Sequence, residues 1–166
     1  MNFFSPVSHL NAPLAKLLNH LQAPFALIAR GYVSWQFLKS GYLKTTSWDS
    51  TLYLFQNEYH TPLLQPHVAA VTGTFGELFF PTLLVLGFAA RFGAIGLFAV
   101  NAMAVISYRQ VLFAEGFEAA LAQHVLWGTL IAFLAVYGPG KLSIDRWLWR
   151  EPVSPPLVAA TATHGG

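Results

Sequence analysis

The sequence predicts an all-α integral membrane protein: a four-helix transmembrane bundle preceded by an N-terminal interfacial amphipathic helix. Three observations carry this. The 166 residues are 55% hydrophobic and only 10% charged, whereas soluble domains carry roughly a quarter charged residues. The mean hydropathy is +0.50. Four apolar stretches are each long enough to cross a hydrocarbon core of roughly 30 Å, which takes about 20 helical residues. So few charges cannot cover a water-exposed surface of this size, and lipid must solvate much of it.

The first patterned stretch is residues 9–21. Leu10, Leu14, Leu17, Leu18 and Leu21 recur at helical spacing, with Asn11, Lys16, Asn19 and His20 between them. This reads as an amphipathic helix lying on the membrane surface. Pro24 marks a boundary and a start for the next helix. No basic n-region leads an uninterrupted apolar run, so the first span is expected to act as an uncleaved insertion signal. The division is therefore an interfacial segment over 1–23, a transmembrane domain over 24–150 and a flexible tail over 151–166.

Span 1, residues 24–43, is the most polar, with Arg30, Ser34, Gln36, Lys39 and Ser40. Residues 45–66 are too polar for a crossing. Trp48, Tyr53, Phe55 and Tyr59 alternate there with Asp49, Gln56, Asn57 and Glu58, as in an aromatic-rich lid in the headgroup zone. Span 2, residues 68–88, carries Glu77. Span 3, residues 92–113, has Asn101 near its middle. Span 4, residues 119–137, has Gln123 and His124 near its start. Gly138-Pro139-Gly140 stops it, and Ser143 offers an N-cap for a short helix through Trp149.

The basic residues set the orientation. With the N-terminus inside, Lys16, Arg91, Lys141, Arg146 and Arg150 fall on one side. The other holds Lys44 and Arg109 with Asp49, Glu58, Glu115 and Glu118. The positive-inside rule then places both termini in the cytoplasm. The net charge of +2 comes from scattered Lys and Arg with no basic stripe, which argues against a nucleic-acid partner. Cysteine is absent, so disulfides, thiolate metal sites and Cys-ligated clusters are excluded within this chain.

Several motifs together resemble the DoxX family of small membrane proteins. They are Arg30-Gly31 and Ser40-Gly41-Tyr42-Leu43-Lys44 in span 1, Glu77-Leu78 and Gly87-Phe88-Ala89-Ala90-Arg91 in span 2, and Gly138-Pro139-Gly140-Lys141-Leu142-Ser143-Ile144-Asp145 after span 4. The last string is the most specific, and the resemblance runs over residues 24–148. It implies a four-helix inner-membrane protein. Members of the family resemble a subunit of a thiosulfate:quinone oxidoreductase, others are linked to membrane-associated oxidoreductase complexes, and further ones accompany maturation systems for small metal-binding peptides. A membrane subunit of a quinone-linked oxidoreductase system is thus the expected function, with quinone the expected cofactor. The alternative is a non-catalytic membrane partner in the maturation or export of a small metal-binding peptide or other substrate. A small-solute channel is a third reading, and it would need an oligomer. The bilayer, and either a protein partner or further copies of the chain, are the expected partners. The missing cysteine argues against direct sulfur transfer.

Ionisable side chains inside a membrane are functional candidates by default. Arg30, Ser34, Phe37, Gly41 and Lys44 follow at steps of three or four and share one face of span 1. That face is too polar for lipid and should point inward. Glu77 lies mid-membrane, where an unpaired carboxylate would take up a proton. Arg30 is its expected partner, either as a structural lock or beside a quinone with which Glu77 exchanges protons. Asn101 sits at similar depth, able to hydrogen-bond across helices or hold a ligand carbonyl. His124 shares a face with Trp127 and Gly128 and suits proton transfer. Glu77 and His124 are therefore the catalytic candidates. Arg30, Lys39, Lys44, Glu77, Asn101 and His124 are the candidate cofactor-binding set. The spacing of His60, His67 and His124 matches no compact ligand motif, and no metal site is expected.

Overall fold

A computed structural model describes residues 5–148, with side chains from residue 13. Expectations for Trp149, Arg150 and the 151–166 tail lie outside the described residues. All of the regular elements are helices: α1 (Ser5–Thr46), α2 (Trp48–Asn57), α3 (Pro66–Leu86), α4 (Ala90–Ser107), α5 (Arg109–Leu112), α6 (Glu118–Tyr137) and α7 (Ile144–Leu148). Three of them, α3, α4 and α6, are long and apolar enough to cross a membrane by length and composition. The more polar α1 completes a four-helix bundle. It packs on α3 and α6, and α4 closes the ring between those two, an up-down-up-down arrangement.

α1 departs from expectation. Pro13 and Pro24 both lie inside one helix of 42 residues, about 63 Å long. Proline deletes one N–H donor and crowds the carbonyl four residues earlier, here His20. A helix this long carries that single loss, so Pro24 does not divide the amphipathic stretch from span 1. Leu14, Leu17, Leu18 and Leu21 are exposed along its first part, and none of the described elements covers them. Span 3 is also shorter than expected. α4 ends at Ser107, and residues 109–112 form the separate turn α5. The lid is itself helical over α2.

The interior is layered. In one half of the bundle Val33, Phe37, Leu84, Ala94, Leu97, Ile131 and Leu134 form an apolar core. Towards the other end Phe55 of α2 packs on Ala69 and Ala70, with Trp48, Leu52 and Tyr59 around them. Polar side chains occupy the level between these two apolar layers.

The end opposite the lid is closed by a latch. Gly87 ends α3 in the left-handed region at φ 70°, where a Cβ would collide with Arg30 and Ser143. Only glycine avoids both problems here. The 138–145 segment folds over this turn. Asp145 accepts hydrogen bonds from the Ala89 and Ala90 backbone N–H groups at 2.7 and 2.8 Å. Its own N–H donates to the Gly87 carbonyl at 2.8 Å. The carboxylate thereby satisfies orphan donors at the start of α4 and faces the positive end of that helix. Arg30, 1% exposed, donates to the Leu142 carbonyl. Ser143 Oγ accepts from the Arg146 N–H at 3.3 Å, the expected N-cap of α7. Asp145→Ala should cost about 1–2 kcal/mol, the upper range for a lost N-cap, read as a lowered unfolding temperature in detergent. An unchanged temperature would show that the latch bears no load.

Candidate functional site

The geometry of α1 follows from its stepped polar face. Arg30, Ser34, Phe37 and Gly41 are all buried. A Cβ on Gly41 would sit 2.9 Å from Leu78 and 3.1 Å from Glu77 Cβ, so the missing side chain lets α1 and α3 approach closely. One turn on, Lys44 projects back towards the start of α1, as helical side chains do. Its Nζ donates to Ser40 Oγ at 2.9 Å and to Glu77 Oε1 and Oε2 at 2.7 and 2.6 Å. The side chains are 16% and 12% exposed. Lys44, not Arg30, is therefore the partner of Glu77. Arg30 lies 14 residues earlier on α1, about 21 Å along the axis, and is engaged in the latch.

A second polar pair links α4 to α6. Asn101 Nδ2 donates to the backbone carbonyl of His124 at 3.0 Å. Its Oδ1 lies 2.9 Å from His124 Nδ1. Because the amide nitrogen faces a carbonyl, Oδ1 is the group turned to the imidazole, and it can only accept. His124 Nδ1 is then the protonated nitrogen, which leaves Nε2 as the ring's basic nitrogen when the ring is neutral. Trp127 steadies the imidazole edge-on, with ring centroids 5.0 Å apart. Gly128 gives Asn101 its room, since a Cβ there would lie 3.1 Å from Nδ2.

A cavity of about 410 Å³ joins the two pairs, with Lys44, Glu77 and His124 in its wall. Its size falls within the usual range for small-molecule sites. The lid roofs it with Phe55, Tyr59 and Thr61. Tyr59 stands edge-on between Phe55 and Tyr108, with centroids 4.8 and 5.0 Å away. Burial first, then Tyr108, Glu77 and Glu58, push its phenol up, so it stays a hydroxyl across the physiological range. Thr61 Oγ1 is buried with no hydrogen-bond partner among the described residues. The lid is tied down where Gln110 donates to the Glu58 carbonyl and meets His60 Nδ1. The His60 N–H donates to Ser107.

The cavity also reaches the outside of the bundle. Thr72, Ala99 and Met103 both line it and are exposed, which opens a window between α3 and α4. Gly96 shapes that window, because the Phe80 ring occupies the space a side chain at position 96 would take.

Of the expected residues, Lys44, Glu77 and His124 line the cavity and Asn101 positions His124. Lys39 is exposed and does not line it, since two residues from Phe37 is more than half a turn off the buried face. Arg30 belongs to the latch. Thr61, Tyr108 and Met103 were not singled out by sequence, and Phe55 and Tyr59 were named there as lid aromatics and not as site residues. The alternation of aromatic and polar residues over 45–66 was the signal for this roof. Among the described residues no group of three His, Asp or Glu is placed to hold a metal ion.

Breaking the buried pair from one side should be costly. Lys44→Met or Glu77→Gln alone should destabilise by about 3–5 kcal/mol, and the double variant by much less. A double-mutant cycle of unfolding free energies in detergent checks this, and additive losses would show that the two charges do not interact.

A family model described as DoxX matches residues 25–110, just over half of the chain. The match takes in the Lys44–Glu77 pair and Asn101, while His124 and the latch segment lie beyond it. No curated protein and no solved structure matches the chain.

Proposed function

The chain belongs to the DoxX family and is a multi-pass membrane protein, and from that premise we propose that it is the membrane subunit of a quinone-linked oxidoreductase system, with the quinone headgroup seated in the cavity beneath the lid. The observation that carries the reading is the convergence of Lys44, Glu77 and His124 on one cavity that opens through the side of the bundle. A quinone is a flat ring with two carbonyls, carried on a lipid tail. The wall residues suit it in chemistry: the Tyr59 hydroxyl is a donor to carbonyl oxygen, the Lys44 ammonium, its hydrogens held by Ser40 and Glu77, offers a positive charge, Thr61 supplies a hydroxyl with no partner among the described residues, and Phe55 and Phe80 give apolar contact. The window between α3 and α4 suits a ligand that arrives dissolved in the bilayer.

When bound, quinone would accept electrons and protons. The protein's own part is to place donors and to move protons. Lys44 is held by Ser40 and Glu77, so its ammonium is oriented before a ligand arrives. Glu77 balances that charge and is the carboxylate able to take or give a proton at the cavity wall. His124 is fixed by Asn101 with Nε2 free for proton exchange. The electron donor would be a partner protein, since the chain has no cysteine to hold a thiolate-ligated centre. The distribution of charge supports an orientation with both termini in the cytoplasm of a bacterial inner membrane. Arg91, Lys141 and Arg146 gather at the latch end, whereas Lys44 at the lid end is neutralised by Glu77.

The test is gentle purification into nanodiscs followed by extraction and mass spectrometry of bound quinone. The wild-type protein should retain quinone near one per chain. His124→Ala should lower retention about tenfold, the effect of losing roughly 1.4 kcal/mol of binding, while the protein stays folded. Quinone-free wild-type protein, with a peptide or protein co-purifying instead, would replace this reading with a non-catalytic docking or export role. Lys44 and Glu77 would then act as a structural lock.

A further inference from the structure

The latch end carries a second recess, separate from the cavity. It lies on the surface between the start of α4 and residues 137–146 and measures about 600 Å³. Arg91, Lys141 and Arg146 all line it and all are exposed. Asp145 is its acidic lining residue, and both of its carboxylate oxygens are taken by the Ala89 and Ala90 N–H groups. Among the described residues, none of the three cations forms an ion pair. Among the described residues the recess therefore carries a cationic excess that is left unpaired.

Its depth in the membrane follows from its walls. Tyr137 and Phe92, 70% and 59% exposed, stand at the ends of the membrane-crossing α6 and α4. Exposed aromatics at helix ends sit at the headgroup level. Arg91 leans on the end of α6, with Nη2 3.4 Å from the Val136 carbonyl. That contact holds its guanidinium at the rim while leaving other N–H groups open, and a guanidinium suits phosphate bidentately. Basic recesses between transmembrane helices on the cytoplasmic side suit anionic headgroups.

We propose that this recess is a binding site for the headgroup of an anionic phospholipid, whose phosphate is held by Arg91, Lys141 and Arg146 and whose chains run down beside Phe92 and Tyr137. The site is independent of the cavity. It fixes the height of the latch in the membrane and ties the α3–α4 turn to the 138–146 segment through a lipid bridge.

The experiment uses the full chain in nanodiscs made from equal parts phosphatidylcholine and phosphatidylglycerol, with mass spectrometry of the lipids kept after detergent extraction. Wild-type protein should keep phosphatidylglycerol in clear excess over the bulk ratio. Arg91→Gln/Lys141→Gln/Arg146→Gln should fall to the bulk ratio. Arg146→Gln alone, which removes no hydrogen bond to another helix, should show a partial loss with unchanged gel-filtration behaviour, and this guards against misfolding of the triple variant. Lys16→Gln, a basic residue elsewhere on the same side, should keep the full excess. Equal enrichment in wild type and triple variant, or a loss in Lys16→Gln as large as in the triple variant, would overturn the proposal. So would inorganic phosphate that binds the lipid-free protein and displaces the retained phosphatidylglycerol, because the site would then serve a free anion.

Discussion

Lys44 and Glu77 face each other largely shielded inside the bundle, 16% and 12% exposed, and much of the bundle is arranged around that fact. A lysine and a glutamate brought separately into a membrane are each costly. Brought together at 2.6–2.7 Å they satisfy one another, but only if α1 and α3 are close and in register. Gly41 supplies the close approach and Ser40 takes a further ammonium hydrogen. A polar level between two apolar layers cannot close up as those layers do, because its charged and amide groups need particular partners. Space remains beside them, and that space is the cavity.

The two ends of the molecule divide the work. At the latch end, Gly87, Arg30 and Asp145 bind the α3–α4 turn to the segment after α6, and the apolar core packs directly above it. That end holds the four helices together. The lid end is held more lightly, by Gln110 and by the edge-on rings of Phe55, Tyr59 and Tyr108. A ligand site is better built beneath the lighter end, since a roof that must yield should not also carry the fold.

Much of this was legible in the residues. The crossings showed as apolar runs of about the right length, and the buried face of α1 showed as steps of three and four from Arg30 to Lys44. The Gly138–Asp145 string was legible as a specific feature, though its physical task, capping α4 through Asp145, needed the fold to bring residues 56 positions apart together. The partner of Glu77 was misread as Arg30, which shares the stepped polar face of span 1 with Lys44 but lies nearer the other end of it. The backward lean of Lys44 moves its charge a turn deeper than its Cα, and sequence spacing does not record that reach. Pro24 was misread because a proline signal is local, while the helix around it is set by packing further on. The roof residues Tyr59 and Thr61 lie on a loop whose position depends on contacts with Ser107 and Gln110, far away in the chain.

The contact between Lys44 and Glu77 can be measured directly in a lipid bilayer. Solid-state NMR with ¹⁵N on the lysine side chains and ¹³C on the glutamate carboxyls should show a strong dipolar coupling between Lys44 Nζ and Glu77 Cδ, with the carboxyl carbon at an ionised shift. That result would place the ion pair at the heart of the membrane-embedded protein. No coupling, with Glu77 at a protonated shift, would mean that the bundle is organised without it and that the cavity wall carries no charge pair.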